Sequence, residues 1–301
     1  MPYQLTIQRP VETCGVGLHT AVPCRLRLLP APADTGIVFR RVDLENFEIE
    51  AHVRNVARVS YATSLMKQGV LLSTVEHLLA ALYSCGVDNV YVEIDALELP
   101  ILDGSSKPFI ELLAKAGTRK LRRQRRYIHV IKPLEFSDGD RRIGIYPADQ
   151  FRVHCFVDYK HPEVGPQEVE MTVDRESFSR ELAPARTFGF MKDFPGMQAM
   201  GLIRGGSVEN AIVLDEEGIL NGPLRFSDEF GRHKALDLIG DLALVGRPLK
   251  ARIVAHKAGH ALHTQLVTRL LADRTLWTET TGAHESVASG SALSDPIPAA
   301  H

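Results

Sequence analysis

Residues 232–246 read RHKALDLIGDLALVG. Ala235, Leu236, Leu238, Ile239, Leu242, Ala243 and Leu244 give this stretch the apolar content of a core helix, yet His233, Asp237 and Asp241 recur every fourth residue along one line. Residues four apart on a helix are offset by only about 40° and rise about 6 Å, so His233 and Asp237 project side by side and can reach one ion. Asp241 stands about 12 Å along the axis from His233, too far to share that ion, and must satisfy another group. A carboxylate buried without a partner is costly. Either a cation and hydrogen bonds compensate this line, or the line faces water on an ordinary amphipathic helix.

Working outward, the helix is followed by a strand, ARIVAH at 251–256, a tight loop KAG, and a helix from about His260 to Asp273; strands around 127–173 precede it. The same order occurs in the first half. Short alternating strands lead to a helix at about 73–84, a strand NVYVEID at 89–95, a loop ALELPILDGSS, and a helix from about Lys107 to Ala116. The parallel predicts an α+β protein of two similar domains, 1–117 and 127–280. Between them GTRKLRRQRR at 117–126 has one apolar residue and reads as a solvated linker over 118–126, the alternative being attraction to a phosphate-rich ligand or an anionic membrane surface. The second half also carries an insertion at 182–211 in which Phe188, Phe190, Met191, Phe194, Met197 and Met200 crowd around Pro195 and Gly196. Such residues line an adaptable apolar groove or simply fill a core. Residues 281–301, Ser/Ala/Pro-rich, read as a disordered tail.

The whole chain narrows the function classes. With 301 residues, 45% hydrophobic and 24% charged, it is long enough for two domains with substantial cores. A formal net charge of −2 argues against a nucleic-acid partner. Cys14, Cys24, Cys85 and Cys155 are scattered with no C-x-x-C pair, as expected of free thiols in a reducing cytosol. No basic-then-apolar leader opens the chain and no apolar run approaches 18 residues, so the expected location is cytoplasmic with no stable membrane insertion. GVGLHT lacks the third glycine of a dinucleotide-binding turn.

A hydrolytic zinc needs three protein ligands and one open position. His77, in STVEHLLAALYS, sits in an apolar helix directly after Glu76, so one turn offers both a ligand and a base. Glu76 also completes a Ser73-x-x-Glu76 capping box, which would reach back to the helix start instead. HKAGHALH offers His256, His260 and His263 as a competing ligand set. Spacing leaves both sets open.

TVEHLLAAL, DNVYVEI, LPILDGSS, ARTFGF, GGSVENAIV, DEFGRHKALDLIGDL and KAGHALH, in this order, resemble the UDP-3-O-acyl-N-acetylglucosamine deacetylases, zinc amidases of lipid A biosynthesis. The likeness runs from CGVGLHT to LLADRTLW. It implies zinc held by His77, His233 and Asp237, Glu76 as general base, His260 as a second catalytic group oriented by Asp241, Thr187 at the oxyanion, and Lys234 on the substrate. It implies that the helices are sandwiched between two sheets with the active site at the domain junction. The insertion becomes the passage for the acyl chain, with Phe188, Met197 and Met200 as lining residues. The implied activity is hydrolysis of the N-acetyl group of an acylated UDP-amino sugar by a monomer, giving UDP-3-O-acyl-glucosamine and acetate, a committed step of lipid A biosynthesis; the alternative is a zinc amidase acting on a different N-acetylated sugar. The chain departs from the family pattern at His263 and Thr264, where two asparagines are expected, and at Ala21, where glycine is usual.

Overall fold

The computed structural model describes residues 1–281; the expected tail lies, from 282 onward, outside the described residues. A five-stranded sheet takes the spatial order Val11–Val16, Pro23–Pro30, Val90–Ile94, Ile37–Arg41, Phe47–Glu50. A seven-stranded sheet gathers Arg126–Val130, Leu134–Asp138, Arg141–Pro147, Phe151–Tyr159, Gly165–Thr172, Leu249–His256 and Trp277–Thr281. Val90–Ile94 and Leu249–His256 are interior strands of their sheets, and in each the buried residues alternate with partly exposed ones, so a single face turns to the core.

The α-helices are α1 (Glu76–Ser84), α2 (Lys107–Ala116), α3 (Arg175–Ser177), α4 (Phe194–Ala199), α5 (Glu229–Leu242) and α6 (His260–Ala272). α1 and α2 pack into the core of the five-stranded sheet, α5 and α6 into that of the seven-stranded sheet. Each interior strand therefore follows one helix and precedes another, which is the doubled order read from the sequence. α1 and α5 are buried on nearly every side, the condition of an inner layer covered by sheets on both faces. The two helices touch through Gly240, where a β-carbon would stand 2.1 Å from the carbonyl oxygen of Glu76. No larger residue allows that approach.

Two local readings need correction. α1 begins at Glu76 rather than near Ser73, because Thr74 adopts a left-handed conformation (φ 59°) that no α-helix continues through. The expected linker is also regular: Thr118–Gln124 is a strand paired antiparallel with Tyr3–Ile7. Its charges stay wet, as composition requires, while its backbone satisfies an otherwise open edge. Charge reports where side chains go, not what the backbone does.

Candidate active site

α5 places its polar line inward. His233, Asp237 and Asp241 are all buried, so the reading in which this line faces water is excluded. His77 comes from α1, brought close by the Gly240 contact, and its ring meets that of His233 edge-on at 5.0 Å. Asp237 Oδ1 lies 3.6 Å from His77 Nε2 and 3.5 Å from His233 Nε2. That oxygen is buried with no hydrogen-bond partner among the described residues, whereas Oδ2 accepts from Lys234 Nζ at 2.8 Å. His233 Nδ1 donates to the carbonyl of Ala185 at 3.1 Å, which turns the lone pair of Nε2 toward Asp237.

The electrostatics match. Burial, with only partial opposition from Asp237, pushes His233 down to about 3, so its ring is neutral. Burial alone would raise Asp237, but Lys234, His233 and the neighbouring His77 imidazole outweigh it and hold the carboxyl well below its usual range. Two imidazole nitrogens, 3.6 and 3.5 Å from an unsatisfied carboxylate oxygen and with all three ligand atoms within 4.8 Å of one another, fit a tetrahedral cation, whose ligands at about 2.1 Å stand roughly 3.4 Å apart. His77, His233 and Asp237 can therefore hold a metal ion.

One turn further along α5 lies a second cluster. Asp241 Oδ2 accepts from His260 Nδ1 at 2.7 Å and from His263 Nδ1 at 2.8 Å. Its Oδ1 accepts a short hydrogen bond from the Thr63 hydroxyl. Burial lowers the affinity of His260 for a proton, but Asp241, Asp237 and Glu76 overcome this and raise it to about 9. His256, the third histidine of the competing set, is elsewhere: it stacks on Phe156 at 4.7 Å and meets the Asp140 carbonyl.

Glu76 is buried, and burial raises its carboxyl above the ordinary range. It does not cap α1. Its Oε2 accepts from the Thr63 backbone N–H at 3.1 Å, and Ser73 bonds Ser64 instead. Thr63 thus ties Glu76 to Asp241, a role the sequence did not announce, since its partner Asp241 is 178 residues away. A second unread device is the pair formed by half-buried Arg186 and buried Glu229. Glu229 accepts from Arg186 N and Nε at 3.0 and 2.9 Å and from Arg225 N at 2.6 Å, fixing the segment that carries Ala185 and Thr187.

Glu76, His77, His233, Lys234, Asp237 and His260 all line one cavity of ≈ 1510 Å³. Thr187 lines it too, held by hydrogen bonds of 2.8 Å from its N–H to Gly104 and to its carbonyl from Ile212. Phe188 and Met197 continue the wall, Phe188 packing edge-on against Phe230 at 4.8 Å. Met200 does not belong to this wall: the chain has left α4 there, and the residue is 59% exposed.

A buried His–His–Asp donor set with a carboxylate beside it, opening on a large cavity, is the constitution of a metallohydrolase site. The family model for UDP-3-O-acyl N-acetylglycosamine deacetylase matches residues 4–272, and the chain belongs to that family. It is 55% identical to the UDP-3-O-acyl-N-acetylglucosamine deacetylase of Solibacter usitatus (strain Ellin6076) over 278 residues, 92% of this chain and 94% of that protein. The deacetylases of the same name from Anaeromyxobacter sp. (strain Fw109-5) and Geotalea uraniireducens (strain Rf4) are 49% and 43% identical, over 90% and 92% of this chain and 89% and 91% of theirs. Among the described residues no helix is long and apolar enough to cross a membrane.

Proposed function

We propose that the chain hydrolyses the N-acetyl group of UDP-3-O-acyl-N-acetylglucosamine, releasing acetate and UDP-3-O-acyl-glucosamine, with zinc held by His77, His233 and Asp237. The observation that carries this reading is the unpartnered Asp237 Oδ1 between two histidine Nε2 atoms, with Glu76 one residue from His77. Zinc held by these three residues would supply Lewis acidity, making water a stronger nucleophile near neutral pH and polarising the amide carbonyl. Glu76, its proton affinity raised by burial, takes the proton of the attacking water. The tetrahedral oxyanion is met by the Thr187 hydroxyl, on a backbone anchored at its N–H and carbonyl, and by cationic His260, held by Asp241, so that little reorganisation is needed. Asp241 keeps His260 charged and aimed. Lys234, already fixed by Asp237, presents its ammonium to the substrate at the cavity wall. Phe188 and Met197 line the path of the acyl chain. The same reading places the protein in the cytoplasm as a monomer, in keeping with four unpaired cysteines.

Zinc analysis paired with a deacetylation assay tests this. One equivalent of zinc per chain, with acetate release that requires both the UDP and the acyl group, is expected. Turnover of N-acetyl sugars lacking either group would favour the alternative amidase.

A further inference from the structure

The second polar cluster holds one group that the reaction above does not use. His263 follows His260 by three residues on α6, is buried, and directs Nδ1 to the same Asp241 oxygen that receives His260. Its Nε2 is buried with no hydrogen-bond partner among the described residues. The tautomer follows from the inventory of donors. A carboxylate only accepts, so the proton sits on Nδ1 and Nε2 keeps its lone pair. Burial outweighs the pull of Asp241 and leaves the His263 ring neutral.

We propose that His263 is a positioning residue that, as a neutral donor sharing Asp241 Oδ2, sets how tightly that carboxylate holds the proton on His260. The proposal rests on reading His260 as a catalytic group. Asp241 accepts from Thr63 on one oxygen and from two imidazoles on the other. Each donor draws charge from the carboxylate and weakens what remains for the others. The groups acting on His260 are Asp241 and Asp237 from α5, Glu76 from α1, the Thr63 hydroxyl at 3.1 Å, and His263 from its own helix. Among them Asp241 is the carboxylate in hydrogen-bond contact, so a change in its basicity passes directly to the His260 proton.

H263L and H263M remove the donor while filling much of the space, and the use of two apolar variants guards against one failing to fold. H263N restores a donor, because an asparagine amide nitrogen takes nearly the place of an imidazole Nδ1. In the zinc-loaded protein, NMR titration of the His260 ring is expected to rise by about 0.5–1 unit in both apolar variants, the scale of one redistributed charge-assisted hydrogen bond, and to return toward wild type in H263N. The alkaline limb of kcat/KM should move by the same amount with zinc content unchanged. An unmoved or lowered ring titration in the apolar variants, or H263N matching them, overturns the proposal. A ring titration that rises while the alkaline limb stays in place upholds the shared hydrogen bond and rejects instead the catalytic role of His260.

Discussion

Two clusters, centred one turn apart on α5 and completed by α1 and α6, are built from the same residue types: two histidines and an aspartate in each. They behave oppositely. Around Asp237 one carboxylate oxygen is left without a hydrogen bond and His233 is held neutral, with burial pushing it down to about 3. Around Asp241 both oxygens are hydrogen-bonded and His260 is pushed up to about 9. Composition therefore does not decide what such a cluster does; the hydrogen bonds around it do. In the first, the Ala185 carbonyl accepts a hydrogen bond from His233 Nδ1 and leaves Nε2 as a ligand. In the second, Asp241 itself accepts from the Nδ1 of both histidines and holds the extra proton on His260.

The sharpest way to break this contrast is to delete a donor from the first cluster. His233→Ala should lose bound zinc and lower kcat/KM by at least about 10³-fold, since metal and water activation go together; metal analysis of the purified variant reads this, and full zinc with full activity would refute the assignment. Glu76→Gln separates metal from base: it should keep its zinc while kcat falls about 10²–10⁴-fold. Asp241→Asn tests the second cluster and should lower kcat/KM at alkaline pH by roughly 10²-fold. The sign is set by His260, whose affinity for a proton exceeds its ordinary value of 6.5. Its cation is therefore present at low pH and is lost as pH rises through about 9, and without the carboxylate that loss occurs at lower pH. A pH–rate profile whose alkaline limb ignores the substitution would contradict this. The smallest effect belongs to the cavity wall. A charge at Met197 should alter the preference among acyl chain lengths by one or two powers of ten, with little change at the metal.

The sequence made the first cluster half legible. His233 and Asp237 follow from spacing four on one helix, a relation the chain carries locally. His77 does not, because nothing in α1 by itself distinguishes a ligand from a satisfied core histidine; its place depends on Gly240 letting α1 press onto α5. Asp241 was legible as a carboxylate needing a partner, but not which partners. One of them, Thr63, lies in YATSLM, whose pattern says nothing of a contact 178 residues away. The doubled order of helix, strand and helix was readable because periodicity is local, whereas the strand at 118–124 was masked by its charge.

Anomalous X-ray scattering at the zinc edge, from crystals of the zinc-loaded protein, tests the distinction between the clusters most directly. A single ion bounded by His77 Nε2, His233 Nε2 and Asp237 Oδ1 is expected, with His260 and His263 still hydrogen-bonded to Asp241. An ion seated among Asp241, His260 and His263, with the Asp237 group bare, would contradict it.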